Sequence, residues 1–307
     1  MKPRVAIIGA GVSGLTCGVV LADAGFDTAI FAAEPPAETT SAVAAAMWFP
    51  YDAEPLDKVI PWALQSYEVF RELSRDPASG VSLIELRTFS RGAELPIPSW
   101  AAGFNARSVS QTEFVMTVPL SDTSIYLDYL QKRLLAAGGK MTIGVRFETP
   151  NDVSRAFDVV VNCAGIGAHR LVDDPDLEPH RGQVVLVKKL DLPGAVVCDD
   201  APLMYAIPRT NDCVFGGTNE PSDDLAPDPA TTATIVSECC ATLKIAPPPI
   251  IKTRVGLRPF RKSGVRLELD RMADGRPLIH NYGHGGSGFT LSWGCAETAL
   301  GYVNSIA

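Results

Sequence analysis

The sequence predicts an α/β protein in which a parallel sheet, assembled from separated stretches of chain, is interrupted by segments that build a second, mostly antiparallel sheet. Three observations predict it. Val5 to Ile8 is a short apolar run, followed by the glycine turn GAGVSG (Gly9 to Gly14), a helix-like run closed by Gly25, and a second apolar run from Asp27. Strand, glycine turn, helix and strand make one βαβ unit, whose home is a parallel sheet. FDVVVNCAG (Phe157 to Gly165) is a continuous apolar run ending at glycine, the pattern of a strand buried on both faces. Beyond residue 180, GQVVLVKK, LMYAIPR, CVFGG and VRLELDR are β-branched or alternating, which suits antiparallel pairing.

Between these landmarks, SAVAAAMWFPY (Ser41 to Tyr51) is small and apolar and ends in aromatic residues. VIPWALQSYEVFRELS reads as an amphipathic helix, and Gly92 to Trp100 as turn-rich surface chain. Ile125 to Ala137 is the clearest helix, stopped by Gly138 and Gly139. EPSDDLAPDPA is an acidic, proline-rich connection, and FTLSWGCAETALGYVN reads as a last helix starting just after Gly288.

Composition narrows the partners. The chain has 307 residues, 46% hydrophobic and 20% charged, with 27 basic against 35 acidic residues for a net charge of −8. That is an ordinary globular composition, and a chain this acidic without a Lys/Arg run does not suit nucleic acid or an anionic membrane. The partner expected is a small molecule. Seven scattered cysteines, none in a CxxC pair, signal neither a zinc site nor a disulfide framework. Lys2 and Arg4 before uncharged Val5 to Ala22 resemble a secretory signal, but four glycines in that run argue for the nucleotide-type turn instead. A cytoplasmic location is expected, also because Asn-Ser-Ile-Ala at the end is not a peroxisomal tripeptide.

The chemistry begins in GAGVSG. Gly9 permits a tight turn, Gly11 lets the backbone approach a pyrophosphate, and Gly14 lets helix and strand pack closely, with Ala10, Val12 and Ser13 supplying backbone N–H groups at a helix N-terminus. Glu34 stands twenty positions after Gly14, the spacing of an acid that holds a ribose hydroxyl. This is a Rossmann-like dinucleotide site, which by itself does not choose between NAD and FAD.

The stretch LIHNYGHGGSGFTLSWGCA (residues 278–296) sets a second problem. His280 and His284 have the spacing of a helical metal pair, yet Gly283, Gly285 and Gly286 oppose a helix there and no third ligand is evident. No metal is expected. A helix beginning after Gly288 would instead turn its free N–H groups toward whatever lies over the glycine loop.

This stretch resembles the signature of the D-amino-acid oxidase family. GAGVSGL, TTSAVAAAMWFPY, DVVVNCAG, RGQVV, MYAIP, CVFGGT and VGLRPFR are similar to family segments in the same order, so the resemblance covers nearly the whole chain. It implies FAD as cofactor. It implies an FAD-binding domain of discontinuous segments, 1–50, 125–180 and 259–307, and a substrate-binding domain of 51–124 and 181–258. By the resemblance, Arg258 clamps the substrate carboxylate, Tyr205 donates its hydroxyl to it, and the Gly286 carbonyl takes the amino group. Thr40, Ser41, Ala45, Ala46, Met47, Gly285, Gly286, Gly288, Phe289 and Thr290 correspond to flavin-holding positions. Phe49, Tyr51, Ala201 and Ser287 are expected to wall the substrate pocket.

The activity implied is oxidative deamination of D-amino acids. Hydride passes from Cα to flavin N5, oxygen is the electron acceptor, and the products are 2-oxo acid, ammonia and hydrogen peroxide. The chain departs from the family pattern in places. Ala201 stands where relatives carry a lid tyrosine, on a lid that looks shortened; Ala33 stands where mammalian relatives carry Asp; and Phe49 replaces a polar Gln. D-aspartate oxidases carry Arg after GGT, where this chain has Asn219, and Asp199 and Asp200 lie on the short lid. Neutral D-amino acids are therefore expected first, with basic ones next. A glycine or sarcosine oxidase and a non-catalytic dinucleotide-binding module are the alternatives, and a homo-oligomer is left open.

Overall fold

The computed structural model describes residues 2–307. In chain order the regular elements begin with β1 (Arg4–Ile8), α1 (Val12–Asp23), β2 (Asp27–Ala32), the one-turn α2 (Thr40–Val43) and α3 (Leu56–Leu73). There follow β3 (Val81–Phe89), β4 (Arg107–Ser110), β5 (Glu113–Ser121), α4 (Thr123–Ala136), β6 (Lys140–Ile143), β7 (Val159–Asn162) and the short α5 (Ala168–Leu171). The chain continues through β8 (Leu177–Lys188), β9 (Gly194–Cys198), β10 (Met204–Pro208), β11 (Asp212–Gly216), β12 (Glu220–Pro221) and α6 (Pro229–Leu243). It ends with β13 (Ile250–Arg261), β14 (Arg266–Arg271), β15 (Pro277–Tyr282) and α7 (Gly288–Ile306).

The first sheet has the order β14-β15-β7-β1-β2-β6. All its pairs are parallel except β14 with β15. Helix α1 has no polar face, and a helix apolar all round must be covered all round. Its residues from Val12 to Ala22, except Ser13, are buried, between the sheet and helices α4 and α7. The tight entry to α1 depends on Gly14, where a Cβ would overlap the Gly9 carbonyl oxygen.

The second sheet runs β12-β8-β11-β10-β9-β3-β5-β4, with β13 on the other edge of β8. Side chains alternate between its faces. Val185, Val187, Val196, Met204, Ala206, Cys213 and Phe215 point one way and form a core with Ile235, Cys239 and Cys240 of α6. Their neighbours Gly182, Val184, Val197, Tyr205, Ile207, Gly256 and Arg258 point the other way, toward a cavity.

The α/β class with a parallel and a mostly antiparallel sheet is observed. VRLELDR, however, belongs to the first sheet and not to the second, as β14 beside β15. Alternation identifies an antiparallel strand but carries no information about its partner, and here the tight turn at Gly275 folds β15 straight back onto it. LIHNY, before the glycine loop, lies in strand β15. Strands β3, β5, β6 and β13 are not among those expected from the sequence. Helix α3 packs against α7: Ser66 Oγ accepts from Gly294 N (2.9 Å) and Trp62 Nε1 donates to Thr298 Oγ1 (3.1 Å).

Candidate active site

A cavity of about 630 Å³ lies between the two sheets. One end is formed by the β1–α1 turn, Gly9 to Ser13, with Ala33, Glu34 and the stretch Val145–Phe147. The other end is formed by Tyr205 and Arg258 of the second sheet, with Phe49, Tyr51, Asp199 and Leu203.

Two helices, α1 and α7, start at this cavity, and their opening residues, Gly11 to Ser13 and Gly288 to Thr290, line it. Neither has a side-chain cap of its own or an acidic residue in its first turn. The first N–H groups of a helix have no partners within it, and the dipole adds positive potential there. The part of the cavity beside the two helix starts, where Gly288 adjoins Val12, is therefore suited to electron-rich groups. At α1, Ser41 Oγ reaches over to accept from Val12 N (2.9 Å).

The small, apolar stretch after Ser41 is threaded between these helices by backbone contacts. Trp48 N donates to Pro119 O (2.8 Å) and Met47 bridges Leu120. Thr290 Oγ1 accepts from Phe49 N (3.1 Å) and donates to Phe49 O (3.0 Å), and Ser287 Oγ does the same for Tyr51 at 2.7 and 2.6 Å. Trp48 is buried against Tyr67, Trp100 and Phe104, anchoring the stretch while Ala44 to Met47 face the cavity.

Strand register brings Tyr205 and Arg258 onto one face. Tyr205 is opposite Gly216, Gly216 opposite Val184, and Val184 opposite Arg254, while Arg258 is opposite His180. A Cβ at Gly216 would overlap the Tyr205 ring, and one at Gly182 would overlap the Arg258 guanidinium. Both side chains thus lie flat along glycine backbone. Arg258 Nη1 donates to Thr218 O (2.8 Å) and Asn219 Oδ1 (3.4 Å), leaving its other donors for a ligand. Burial raises the Tyr205 phenol pKa, and the adjacent Arg258 partly offsets this. The phenol remains protonated and can donate.

Of the expected site residues, Gly9, Ala10, Gly11, Val12, Ser13, Glu34, Thr40, Ser41, Ala45, Ala46, Met47, Phe49, Tyr51, Tyr205, Arg258, Gly285, Gly286, Gly288, Phe289 and Thr290 line this one cavity. Gly14, Ala201 and Ser287 do not. Gly14 supports the turn from behind, Ala201 is exposed on the β9–β10 connection, and Ser287 is buried and occupied by the Tyr51 backbone. Glu34 pairs with Arg146 (2.8 Å) where both are exposed. Cys163 to Gly167, Asp199 and Leu203 also line the cavity and were not anticipated as lining residues; the glycine that ends DVVVNCAG was the available signal for the first group.

The two histidines of the tail are separate. His284 lies under the glycine loop, its Nε2–H donating to Asn281 Oδ1 (3.0 Å), and Asn281 Nδ2 donates to Cys17 Sγ (3.1 Å). His280 is buried on β15, among the described residues with neither ring nitrogen hydrogen-bonded, and Asp270 is 3.7 Å away. Among the described residues no group of three or more His, Cys, Asp or Glu could hold a metal ion. Burial lowers each histidine pKa to about 4. A histidine kept neutral when folded but protonated when unfolded destabilises the fold as pH falls, from about 6.5 downward until the folded pKa is reached. Each contributes up to about 3 kcal/mol over that window, at 1.36 kcal/mol per pKa unit. Denaturant midpoints should fall steeply between pH 6.5 and 4.5, and His280→Phe should flatten that slope; an unchanged slope contradicts this.

Comparison with known proteins gives consistent results. The family model described as FAD dependent oxidoreductase matches residues 4–95 and 120–300. A D-amino-acid oxidase of Rubrobacter xylanophilus is 40% identical, over 96% of this chain and 94% of its own. One from Streptomyces coelicolor is 41% identical, over 96% and 95%. The crystal structure of glycine oxidase from Bacillus cereus superposes with a TM-score of 0.79 at 19% identity, covering 100% of this chain and 96% of that one, a likeness of fold.

Proposed function

The chain belongs to the family of FAD-dependent oxidoreductases that includes the D-amino-acid oxidases, and from that premise we propose that it deaminates neutral D-amino acids oxidatively, releasing 2-oxo acid, ammonia and hydrogen peroxide. The observation that carries the reading is the placement of Tyr205 and Arg258 on the sheet face that closes a cavity at which two helices, neither capped by its own N-cap side chain, begin.

The residues present fit FAD. The N–H groups of Gly11 and Ser13 suit a pyrophosphate, and the small side chains of Ala44 to Ala46 with Gly285, Gly286 and Gly288 leave room for a flat ring system. When bound, FAD supplies the two-electron acceptor for a hydride from Cα and returns the electrons to oxygen. The N–H groups at the start of α7 would be available to stabilise negative charge on a ring held beside them.

The protein's own contribution is orientation. Arg258 takes both carboxylate oxygens through its planar fork, and the Tyr205 phenol donates to the same group. The Gly286 carbonyl accepts from the amino group. Three fixed points hold the Cα–H in one direction, which reduces the entropic part of the barrier. Phe49, Tyr51 and Leu203 wall the site with largely apolar surface and limit water.

A dicarboxylate would need a second cation at this end, where Arg258 is the one cationic side chain lining the cavity among the described residues. All seven cysteines are free and buried, a state that a reducing compartment such as the cytoplasm maintains. Peroxide release measured across a panel of D- and L-amino acids tests the reading. Turnover of D-valine and D-methionine, little of glycine and none of the L-forms is expected; D-aspartate exceeding D-valine, or glycine exceeding both, contradicts it.

A further inference from the structure

At the Tyr205–Arg258 end of the cavity, among the described residues, the one lining carboxylate is Asp199. The other carboxylates of the lining, Glu34 and Glu38, belong to the stretch beside the first glycine turn, where Glu34 is engaged by Arg146. Asp199 follows directly on β9, on the connection to β10 that carries Tyr205. Its neighbour Asp200 is tied down, accepting from Ser90 Oγ (2.9 Å) and Arg91 N (2.5 Å), while Arg91 Nη2 donates to Pro202 O (2.9 Å) and to Glu238 (3.1 Å). The connection is thereby fixed from outside.

Among the described residues Asp199 itself receives no hydrogen bond and no ion pair; partial burial of its carboxyl, then the nearby Asp200, raise its pKa. The residue is exposed as a whole, at the mouth of the cavity that it lines. The Tyr51 phenol links the two charges of this end. Its pKa is raised first by burial and then by Asp199, and is lowered by Asn219 and by Arg258, so both charges act on one hydroxyl. An unanswered anion and an available guanidinium therefore flank the same space.

We propose that Asp199 is a specificity-determining residue that accepts the cationic side-chain end of basic D-amino acids, such as D-lysine and D-ornithine, while Arg258 holds the α-carboxylate. The proposal rests on the D-amino-acid oxidase reading and deepens it from neutral substrates to a second, basic class. A flexible aliphatic stem crosses the apolar wall of Phe49, Tyr51 and Leu203, and its ammonium ends where the carboxylate lacks a partner.

The test compares holoenzyme and its Asp199→Asn variant on D-lysine and on D-norleucine, which is D-lysine without the terminal amine. The ratio of kcat/KM for D-lysine over D-norleucine should fall roughly five- to thirty-fold, mainly through KM, as for loss of a partly desolvated charge pair. Asp199→Lys should lower the ratio further and raise activity on D-glutamate. An unchanged ratio in both variants, or an equal loss on both substrates, overturns the role of Asp199 and leaves the parent reading intact. A wild-type holoenzyme inert toward D-norleucine and D-lysine alike overturns the parent reading, and this one with it.

Discussion

Arg258→Ala should lower kcat/KM for D-methionine by roughly two to four orders of magnitude, the kinetic equivalent of about 3–5 kcal/mol for leaving a partly buried carboxylate without its partner. The structure gives reasons to expect a loss this large and this local. Among the described residues, Arg258 donates through Nη1 to the Thr218 carbonyl and the Asn219 side-chain oxygen, which leaves Nε and Nη2 for a ligand. It lies over Gly182, where no side chain can support a substitute. Most of the loss should appear in KM, with a further part in kcat because a misplaced carboxylate turns the Cα–H away. Arg258→Lys keeps the charge but not the planar fork and should fall between. Melting temperature should move little, since the side chain is only half-buried. Steady-state kinetics with an unchanged kcat/KM in Arg258→Ala would remove the assigned role.

The second large effect is expected at Gly14. A Cβ there would occupy the position of the Gly9 carbonyl oxygen, and backbone meeting backbone cannot be relieved by a rotamer change. Gly14→Ala must push α1 away from β1 and with it the N–H groups of Gly11 to Ser13. Overpacking of this kind costs about 1–3 kcal/mol in stability. Loss of one or two hydrogen bonds to a charged group, at about 1.5–3 kcal/mol each, weakens FAD binding by roughly ten- to ten-thousand-fold. The variant should purify largely colourless and melt lower. Gly301→Ala is the control, since on the outer face of α7 an added Cβ meets nothing within 4 Å and replaces a helix-interior glycine by the best helix former. A flavin-saturated Gly14→Ala protein would contradict the account.

The parts of this fold that were legible in the sequence are those specified by neighbours in the chain. An apolar tetrapeptide, three glycines at fixed spacing and an uncharged, mostly apolar run to Ala22 are enough to define β1, α1 and β2. The last helix was equally legible, with Gly288 at its start. The parts that were not legible depend on pairing between distant segments. β14 carries the alternation of an antiparallel strand, and only the hairpin with β15 decides its sheet. Tyr205 and Arg258 share a face because β8 pairs with both β11 and β13 in particular registers, and no local pattern contains that relation. Ser287 is similar. A hydroxyl at a helix start suggests a cap or a ligand contact, and here it is occupied by Tyr51, 236 positions away. Asp199 and Asp200 were read alike as lid charges. The structure separates them, because the backbone N–H of Arg91 and the hydroxyl of Ser90 engage only the second.

One cavity, lined by the starts of α1 and α7 and by Tyr205 and Arg258 of the second sheet, is proposed to hold both FAD and substrate. Anaerobic titration of the purified yellow protein tests it most directly. Stoichiometric addition of D-methionine should bleach the flavin absorbance, L-methionine should leave it unchanged, and admission of air should restore it. A spectrum indifferent to D-methionine, or bleached equally by both enantiomers, would contradict the account.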